Sequence, residues 1–299
     1  MPWQRHDGAG PDGGVRHMTD GSKGTDAGAS AGSEQEAAGA GAAEVVSYEV
    51  VDRVAHITIE RPTKRNAMSL QVFDELTSRA AEVAADPDVG AVVVAGRQGS
   101  FSAGIDLKVF GDQVTDGLDP VFVARLQAAF TAYEDLDVPT IAAVEGYCYG
   151  AGIQLAAACH LRAVAPSAEF SVMEARWGLI PDLGGSWRLP RLIGLGRATE
   201  LVLTARKVGA EEALAMGLGE HALPADDAQG AAHDLAARLA AGPGALRLVP
   251  RLLRENLERD RAAALQAEVA AQQHASSGPD FREAVMSHLE SRPPRFVGR

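Results

Sequence analysis

Apolar residues follow first a strand-like and then a helix-like spacing from Val45 onward. A β-rich stretch runs from Val45 to Ile59 and closes at Arg61-Pro62, a pair typical of a turn. Ser69 then predicts a helix N-cap, because apolar residues recur behind it at helical spacing until Asp86-Pro87. The chain therefore begins its ordered part with strand structure and continues into an amphipathic helix.

The next elements repeat this order. Residues 91–95 form a continuous apolar run of strand length, which predicts a strand covered on both faces, as in a parallel sheet. A second amphipathic helix spans Phe122 to Tyr133, and a second buried strand spans Pro139 to Val144. A helix rich in small residues follows from Gly150 to Leu161. Strands alternating with helices predict an α/β fold with parallel pairing.

The two ends of the chain differ from this central part. Residues 1–44 are rich in Gly, Ala, Ser, Asp and Glu without periodicity, a composition too polar to bury a core, so we expect a disordered extension. Residues 231–299 carry only helical signals, which are broken at Gly242-Pro243-Gly244 and at Gly278-Pro279. The predicted organisation is an extension, an α/β core over 45–230 and a C-terminal helical region.

Charge narrows the range of partners. The 299 residues hold 28 basic and 40 acidic side chains, a formal net charge of −12. Such a field repels phosphate backbones and anionic lipid, so neither nucleic acid nor a membrane is an expected partner. No apolar run of about 18 residues and no signal-peptide pattern occur, which predicts a cytoplasmic protein. Cys148 and Cys159 are expected to be reduced packing residues.

Common catalytic motifs are missing from the sequence. The Cys and His residues do not have zinc spacing, so no metal is expected. Gly99-Ser100-Phe101-Ser102 departs from a nucleophile elbow, because Ser100 stands where that motif needs glycine. The glycines near Gly150 do not form a dinucleotide fingerprint, and no Walker lysine follows a glycine loop. Hydride and phosphoryl transfer are therefore not expected, nor is a separate cofactor.

Two loops that each follow a buried strand carry the strongest signal. They span Phe101 to Lys108 and Glu145 to Gly152. Their small residues allow a ligand to approach the backbone, and the helix after the second loop offers free N–H groups at its positive end. The alternative is that the two loops are glycine turns that pack together and bind no ligand.

Seven segments carry recognisable motifs in a fixed order over about residues 45–299. They are Ile59 to Pro62 with Asn66-Ala67, Phe101 to Leu107, Val144 to Ala156, Gly178 to Pro181 with Gly184-Gly185, Leu189 to Gly194, Ala210 to Leu218, and Ser291 to Phe296. Together they resemble the crotonase (enoyl-CoA hydratase/isomerase) superfamily. The resemblance implies a crotonase-type spiral of ββα units. It also implies a homotrimer or a dimer of trimers, assembled through the C-terminal helical region.

The same resemblance implies an acyl-CoA thioester substrate, in which coenzyme A is part of the substrate. Two backbone N–H groups would stabilise the thioester oxygen as it becomes an enolate, and they map onto Ala103 and Ala151. The second donor is usually glycine in the family, so Ala151 adds a methyl group. The implied substrate-binding residues are Arg65, Ala67, Gly104, Ile105, Asp106, Lys108 and Gln154.

The acid and base groups decide which reaction runs. Enoyl-CoA hydratases carry two glutamates at the positions that hold Gln154 and Glu174 here, and an amide does not exchange a proton near neutral pH. Asp182 matches an acidic position of dienoyl-CoA isomerases and of the ring-epoxide phenylacetyl-CoA isomerase branch, although it would also suit a turn after Pro181. The resulting expectation is an enoyl-CoA isomerase in which Glu174 and Asp182 are the catalytic residues.

Two alternatives remain open. The first is a 2-enoyl-CoA hydratase of fatty-acid β-oxidation in which Gln154 only orients water. The second is a homologue without catalysis that binds acyl-CoA or RNA, since a fold alone does not determine a function. His160 stands where the family usually has aspartate, and the sequence suggests no role for it.

Overall fold

A β-hairpin opens the part of the chain that the computed structural model describes, which comprises residues 44–109 and 117–298. Strands β1 (Val46–Val51) and β2 (Val54–Ile59) pair antiparallel. Asp52 and Arg53 between them have φ values of 49° and 67°, the pattern of a tight hairpin turn. The predicted single β stretch is therefore two strands. Residues 1–43 of the predicted disordered extension lie outside the described residues.

Four further strands extend this hairpin into the main sheet: β3 (Ala91–Gly96), β4 (Thr140–Val144), β6 (Leu161–Val164) and β9 (His221–Ala222). The strand order is β1-β2-β3-β4-β6-β9, and every pair after the first hairpin is parallel. Each residue of β3 and β4 is buried. The parallel strands covered on both faces, and with them the α/β fold, are confirmed.

Alternate residues of β3 enter two separate cores. Val92 and Val94 face a large core that contains the buried sides of α1 (Leu70–Ala85) and α2 (Pro120–Glu134). Ala91, Val93 and Ala95 face a second core, in which they pack against α7 (Ala228–Ala240). Successive side chains of a strand point to opposite faces, so a sheet with helices on both sides needs apolar residues at every position.

The second sheet is small and consists of β5 (Tyr147–Tyr149), β7 (Glu169–Ser171) and β8 (Val208–Gly209). The strand order is β5-β7-β8, in which β5 and β7 are parallel and β7 and β8 are antiparallel. Helix α3 (Ala151–Ala158) follows β5 directly. The helix is shorter than predicted, because the chain turns after Cys159 and Leu161 begins β6.

His160 links the end of α3 to the start of β4. Its Nδ1 accepts a hydrogen bond from the backbone N–H of Thr140 at 3.1 Å, and its own N–H donates to Thr140 Oγ1 at 2.8 Å. Its Nε2 lies 3.2 Å from the carbonyl oxygen of Glu134. The two nitrogens are satisfied by a neutral ring, and burial lowers the pKa of His160. His160 therefore has a structural role.

Helices make up most of the remaining chain. They are α4 (Gly185–Ile193), α5 (Leu195–Thr204), α6 (Ala210–Met216), α8 (Val249–Asn256), α9 (Arg261–Ser277) and α10 (Pro279–Leu289). The breaks predicted at Gly242 to Gly244 and at Gly278-Pro279 are confirmed. The predicted boundary after residue 230 falls within α7, which packs on the main sheet. No helix among the described residues meets the length and hydropathy needed to cross a bilayer.

Both cysteines are free and buried, Cys148 within β5 and Cys159 at the end of α3. Burial raises the pKa of Cys159 to about 12, so its thiol stays protonated. The expectation of reduced packing residues is confirmed.

Candidate active site

The loop after β3 is joined to β5 by backbone hydrogen bonds. Ser102 N–H donates to Tyr147 O at 2.8 Å, and Tyr149 N–H donates to Ser102 O at 3.0 Å. Helix α3 then begins close to this loop, since a Cβ on Gly152 would lie 2.7 Å from Ser102 O. Only glycine allows this approach. The two loops predicted from the sequence therefore form one packed unit.

A second set of bonds fixes Gly104 to Asp106 beside Met68. Met68 N–H donates to Gly104 O at 2.8 Å, and Asp106 N–H donates to Met68 O at 2.9 Å. Ile105 lies between these two bonded groups, and in extended backbone its N–H points to the opposite side. No acceptor for this N–H is found among the described residues. Ile105 lines a cavity, so its N–H is available to a ligand there.

Ala151 supplies the second free donor. It is the first residue of α3, where the helix leaves its N–H without an internal acceptor and where the positive end of the helix dipole favours negative charge. A Cβ built on Gly104 would lie 3.6 Å from Ala151 N, which brings the two loops together at this point. The N–H groups of Ile105 and Ala151 are thus two neighbouring backbone donors beside one cavity.

The predicted donor Ala103 does not fit this role. Its N–H donates to Arg65 O at 2.9 Å, so it is occupied within the protein. The prediction placed Ile105 only among the substrate-binding residues. The pairing of Gly104 and Asp106 with Met68 is what identifies Ile105 as a donor. This pairing joins residues more than 30 positions apart, so the sequence of the loop does not show it.

Glu174 lies in a short 3₁₀ turn, Met173–Trp177, and is 8% exposed. Its Oε1 accepts a hydrogen bond of 2.6 Å from Gln154 Nε2, while its Oε2 is buried without a hydrogen-bond partner. Burial raises the pKa of Glu174, and the nearby charge of Asp182 adds to this effect. A carboxyl group with a raised pKa and a free oxygen is suited to accept and release a proton.

Gln154 has a fixed orientation. Its Oε1 accepts hydrogen bonds from the backbone N–H groups of Leu183 at 2.8 Å and Gly185 at 2.9 Å. Because an amide oxygen only accepts, these two donors direct the amide nitrogen toward Glu174. Gln154 thus connects Glu174 to the segment that follows Asp182, and it holds the side chain of Glu174 in one position.

Asp182 is half-buried at the same cavity. Its carboxylate makes no hydrogen bond or ion pair to another residue within the described part of the chain, and burial raises its pKa. Its backbone carbonyl accepts from Gln127 Nε2 at 2.6 Å, which holds the segment in place. Asp182 is therefore a second carboxyl group with a raised pKa near Glu174.

The cavity encloses about 380 Å³ and brings together most of the predicted residues. The predicted residues among its lining are Ala67, Ala103, Gly104, Ile105, Asp106, Ala151, Gln154, Glu174 and Asp182. The lining residues that the prediction did not include are mainly apolar: Leu107, Leu118, Leu126, Met173, Trp177 and Leu179, with Lys64 and Gly150.

Two of the predicted substrate-binding residues lie outside the lining, and a third is paired with an arginine. Arg65 and Lys108 do not line the cavity, and the guanidinium of Arg65 lies 5.1 Å from the centre of the Tyr147 ring. Asp106 does line it but forms an ion pair of 2.9 Å with Arg61, which lowers the pKa of Asp106. The negative charge of Asp106 is therefore balanced by a neighbouring arginine.

A comparison with protein families identifies the chain. The family model described as enoyl-CoA hydratase/isomerase matches residues 49–299. The chain belongs to the enoyl-CoA hydratase/isomerase family. Membership confirms the resemblance to the crotonase superfamily and implies an acyl-CoA thioester substrate for this family enzyme.

Curated relatives match over 72% to 98% of their length. A Rhodobacter capsulatus protein named "Probable enoyl-CoA hydratase" is 38% identical over 257 residues, covering 85% of this chain and 98% of the relative. The mitochondrial methylglutaconyl-CoA hydratase of Homo sapiens is 33% identical over 246 residues, covering 80% of this chain and 72% of the relative. Because the human relative is named as mitochondrial, the cytoplasmic location stays a prediction.

Solved structures match the fold of the family enzyme. The crystal structure of enoyl-CoA hydratase from Bacillus anthracis superposes with a TM-score of 0.79 at 30% identity, covering 85% of this chain and all of that one. The enoyl-CoA hydratase structure from Mycobacterium tuberculosis gives a TM-score of 0.76 at 30% identity, with 86% and 100% coverage. The crotonase fold expected from the sequence is confirmed.

Proposed function

We propose that this family enzyme moves the double bond of an enoyl-CoA thioester by proton transfer. One observation carries the proposal: two carboxyl groups with raised pKa, those of Glu174 and Asp182, line the cavity that holds the two free backbone donors. The third polar side chain among them, Gln154, is an amide and does not take a proton near neutral pH. The site is thus suited to transferring protons at a stabilised enolate.

The proposed reaction begins with the thioester oxygen accepting hydrogen bonds from the N–H groups of Ile105 and Ala151. These fixed donors stabilise the negative charge that develops when a proton leaves the neighbouring carbon. Ionised Glu174 removes that proton from C2 of a 3-enoyl thioester through its unpartnered Oε2. The electrons move along the chain, and neutral Asp182 delivers a proton to C4. The product is a 2-enoyl thioester, and proton exchange between the two carboxyl groups or with water restores the starting state.

Gln154 contributes by position. Its amide N–H holds Glu174 Oε1, so the other oxygen of that carboxylate faces the reacting carbon. The hydrogen bond also favours the ionised form of Glu174, which partly offsets the effect of burial on its pKa. Gln154 therefore orients the base.

Hydration of a 2-enoyl-CoA is the second candidate, and the names of the relatives favour it. The Rhodobacter capsulatus and Homo sapiens relatives and the Bacillus anthracis structure all carry hydratase names. In this reaction the second N–H of the Gln154 amide would hold a water molecule. Glu174 would take a proton from this water as its oxygen bonds to C3, and would then pass a proton to C2. The comparisons support hydration better than migration, whereas the amide at position 154 supports migration.

The test is a product analysis on matched substrates. The purified enzyme is incubated with 3-hexenoyl-CoA and with 2-hexenoyl-CoA, and 2-enoyl and 3-hydroxyacyl products are separated by chromatography. The proposal expects migration of the double bond to be faster than hydration. Faster formation of 3-hydroxyacyl-CoA would establish the hydratase instead. If the parent and Glu174→Gln are equally inert while both bind CoA thioesters, the chain only binds its ligand.

A further inference from the structure

A chain of hydrogen bonds connects helix α2 to the carboxylate of Glu174. It begins at Gln127, a half-buried residue of α2 that lies outside the lining of the cavity. Gln127 Nε2 donates to Asp182 O at 2.6 Å. The same peptide group carries the N–H of Leu183, which donates to Gln154 Oε1 at 2.8 Å. Gln154 Nε2 then donates to Glu174 Oε1 at 2.6 Å, so three successive hydrogen bonds tie Glu174 to α2.

These three hydrogen bonds run in one direction. In the peptide group between Asp182 and Leu183, and again in the amide of Gln154, the oxygen accepts and the nitrogen donates. Groups arranged in this way polarise one another, so a donor at the carbonyl strengthens the N–H at the other end. A peptide group is also planar, so fixing the carbonyl fixes the direction of the N–H. Gln127 therefore affects both the strength and the direction of a bond that orients Gln154.

The other donor to Gln154 is held by backbone alone. It is the N–H of Gly185, and the carbonyl of its peptide group, Gly184 O, accepts from the backbone N–H of Arg188 at 2.9 Å. The Arg188 side chain supports the same segment, because its Nη1 donates to Leu183 O at 3.0 Å. Of the two peptide groups that donate to Gln154, the one that ends at Leu183 is thus the one fixed by a side chain, that of Gln127.

We infer that Gln127 is a positioning residue for the reaction, because it fixes Gln154 and, through Gln154, the carboxylate of Glu174. This inference rests on the proposed function, since it takes Glu174 as the base. While Gln154 stays bonded to Oε1 of Glu174, the unpartnered Oε2 remains available to the substrate. The bond from Gln154 also favours the ionised carboxylate, so weakening it would raise the pKa of Glu174 further. Migration and hydration both need this base, and the inference applies to either reaction.

The test compares Gln127→Met with the parent on 3-hexenoyl-CoA and 2-hexenoyl-CoA. Methionine keeps the length of the side chain and suits a helix, but it cannot donate to Asp182 O. We expect kcat to fall on the order of 10-fold while KM stays within about three-fold of the parent value. The acid limb of the kcat/KM profile reports protonation of the base, so it should move to higher pH. A residue that only supports folding would not move this limb.

Two further variants separate positioning from a loss of stability. Gln127→Lys keeps a donor for Asp182 O and should have a kcat within a few-fold of the parent. Gln266→Met makes the methionine exchange at an exposed position on α9 and should leave kcat and the acid limb unchanged. An acid limb that stays in place in Gln127→Met, or equal losses of kcat in Gln127→Met and Gln127→Lys, would overturn the inference and leave the proposed function intact. A parent enzyme that converts neither substrate would overturn the proposed function, and the inference with it.

Discussion

The two sides of the cavity are built in different ways. On one side, Ile105 and Ala151 present backbone N–H groups that are held by backbone hydrogen bonds of the adjoining loops. On the other side, Glu174, Gln154 and Asp182 present their side chains to the cavity, and a hydrogen bond of 2.6 Å joins the first two. We call the first the donor side and the second the carboxyl side. The donor side keeps its N–H groups with almost any residue at positions 105 and 151. A single substitution of a side chain, by contrast, changes the chemistry of the carboxyl side.

Because of this difference, the donor side favours a class of reaction, and the carboxyl side favours one reaction within that class. Two backbone donors at a thioester oxygen favour enolate formation, which migration and hydration both need. The protonation states of the side chains on the other side then decide where protons go. Family membership follows from the whole chain, but the choice between the two reactions depends on three residues.

The largest expected effect comes from the carboxyl side. Glu174→Gln removes the base while keeping the size of the side chain, and we expect kcat to fall by a factor on the order of 10²–10⁴. The substitution also removes a buried charge whose pKa is raised, and such a group destabilises the fold as pH rises through its folded-state pKa. The variant should therefore be more stable than the parent at pH 7.

The control for this variant is Glu268→Gln, which changes the same residue type at an exposed position on α9. It should leave both kcat and the denaturation midpoint unchanged. Loss of activity together with loss of stability in Glu174→Gln would indicate a structural role for Glu174 and contradict its assignment as the base.

The donor side is tested by Ala151→Pro. Proline is tolerated at the first position of a helix, and here it removes the N–H that we assign to the thioester oxygen. Loss of one such donor is expected to lower kcat by on the order of 10²–10³. Ala151→Gly keeps the N–H and should stay within a few-fold of the parent. Equal activity of the proline and glycine variants would exclude Ala151 as a donor.

A smaller effect is expected for Asp182→Asn. Without the acid that returns the proton, migration should slow by on the order of 10-fold to 10²-fold. The proposed reaction needs protonated Asp182, whose pKa is raised by burial, so the kcat/KM of the parent should fall on an alkaline limb as Asp182 ionises, and Asp182→Asn should remove that limb. An alkaline limb that persists unchanged in the variant would show that Asp182 is not the acid.

The smallest effect concerns His160, which lies outside both sides of the cavity. Its pKa is lowered in the folded state, so its contribution to stability is complete above about pH 6.5 and is lost as the pH falls below that value. The free energy of unfolding should therefore fall as the pH is lowered across this range. In His160→Asn, urea titrations at several pH values should show a weaker pH dependence. An identical pH dependence would refute the structural role.

Much of the fold could be predicted because its signals are local. The buried run at Ala91 to Ala95 and the apolar spacing of α1 depend only on neighbouring residues, and both elements have the predicted character. The hairpin at Asp52-Arg53 was missed, since two non-glycine residues adopt positive φ there. Tight hairpin turns are usually recognised by Asn-Gly, Asp-Gly or Gly-Gly, and Asp-Arg is not one of these pairs.

The side chains of the site could be predicted through the family resemblance. That resemblance pointed to Glu174, Asp182 and Gln154, and the structure brings them to one cavity. Ile105 was not identified as a donor, because any residue has an N–H and its availability depends on the pairing of Gly104 and Asp106 with Met68. Backbone sites of this kind require tertiary structure.

The most direct test of the account is the pair of reaction rates measured for Gln154→Glu against those of the parent. A glutamate at this position would place a second carboxylate within hydrogen-bond reach of Glu174, and like charges in a buried site disfavour ionisation of the base. With 3-hexenoyl-CoA and 2-hexenoyl-CoA as substrates, we expect slower migration and little gain in hydration. A rise in hydration by a factor of about 10²–10⁴ with undiminished migration would contradict the roles assigned to Gln154, Glu174 and Asp182.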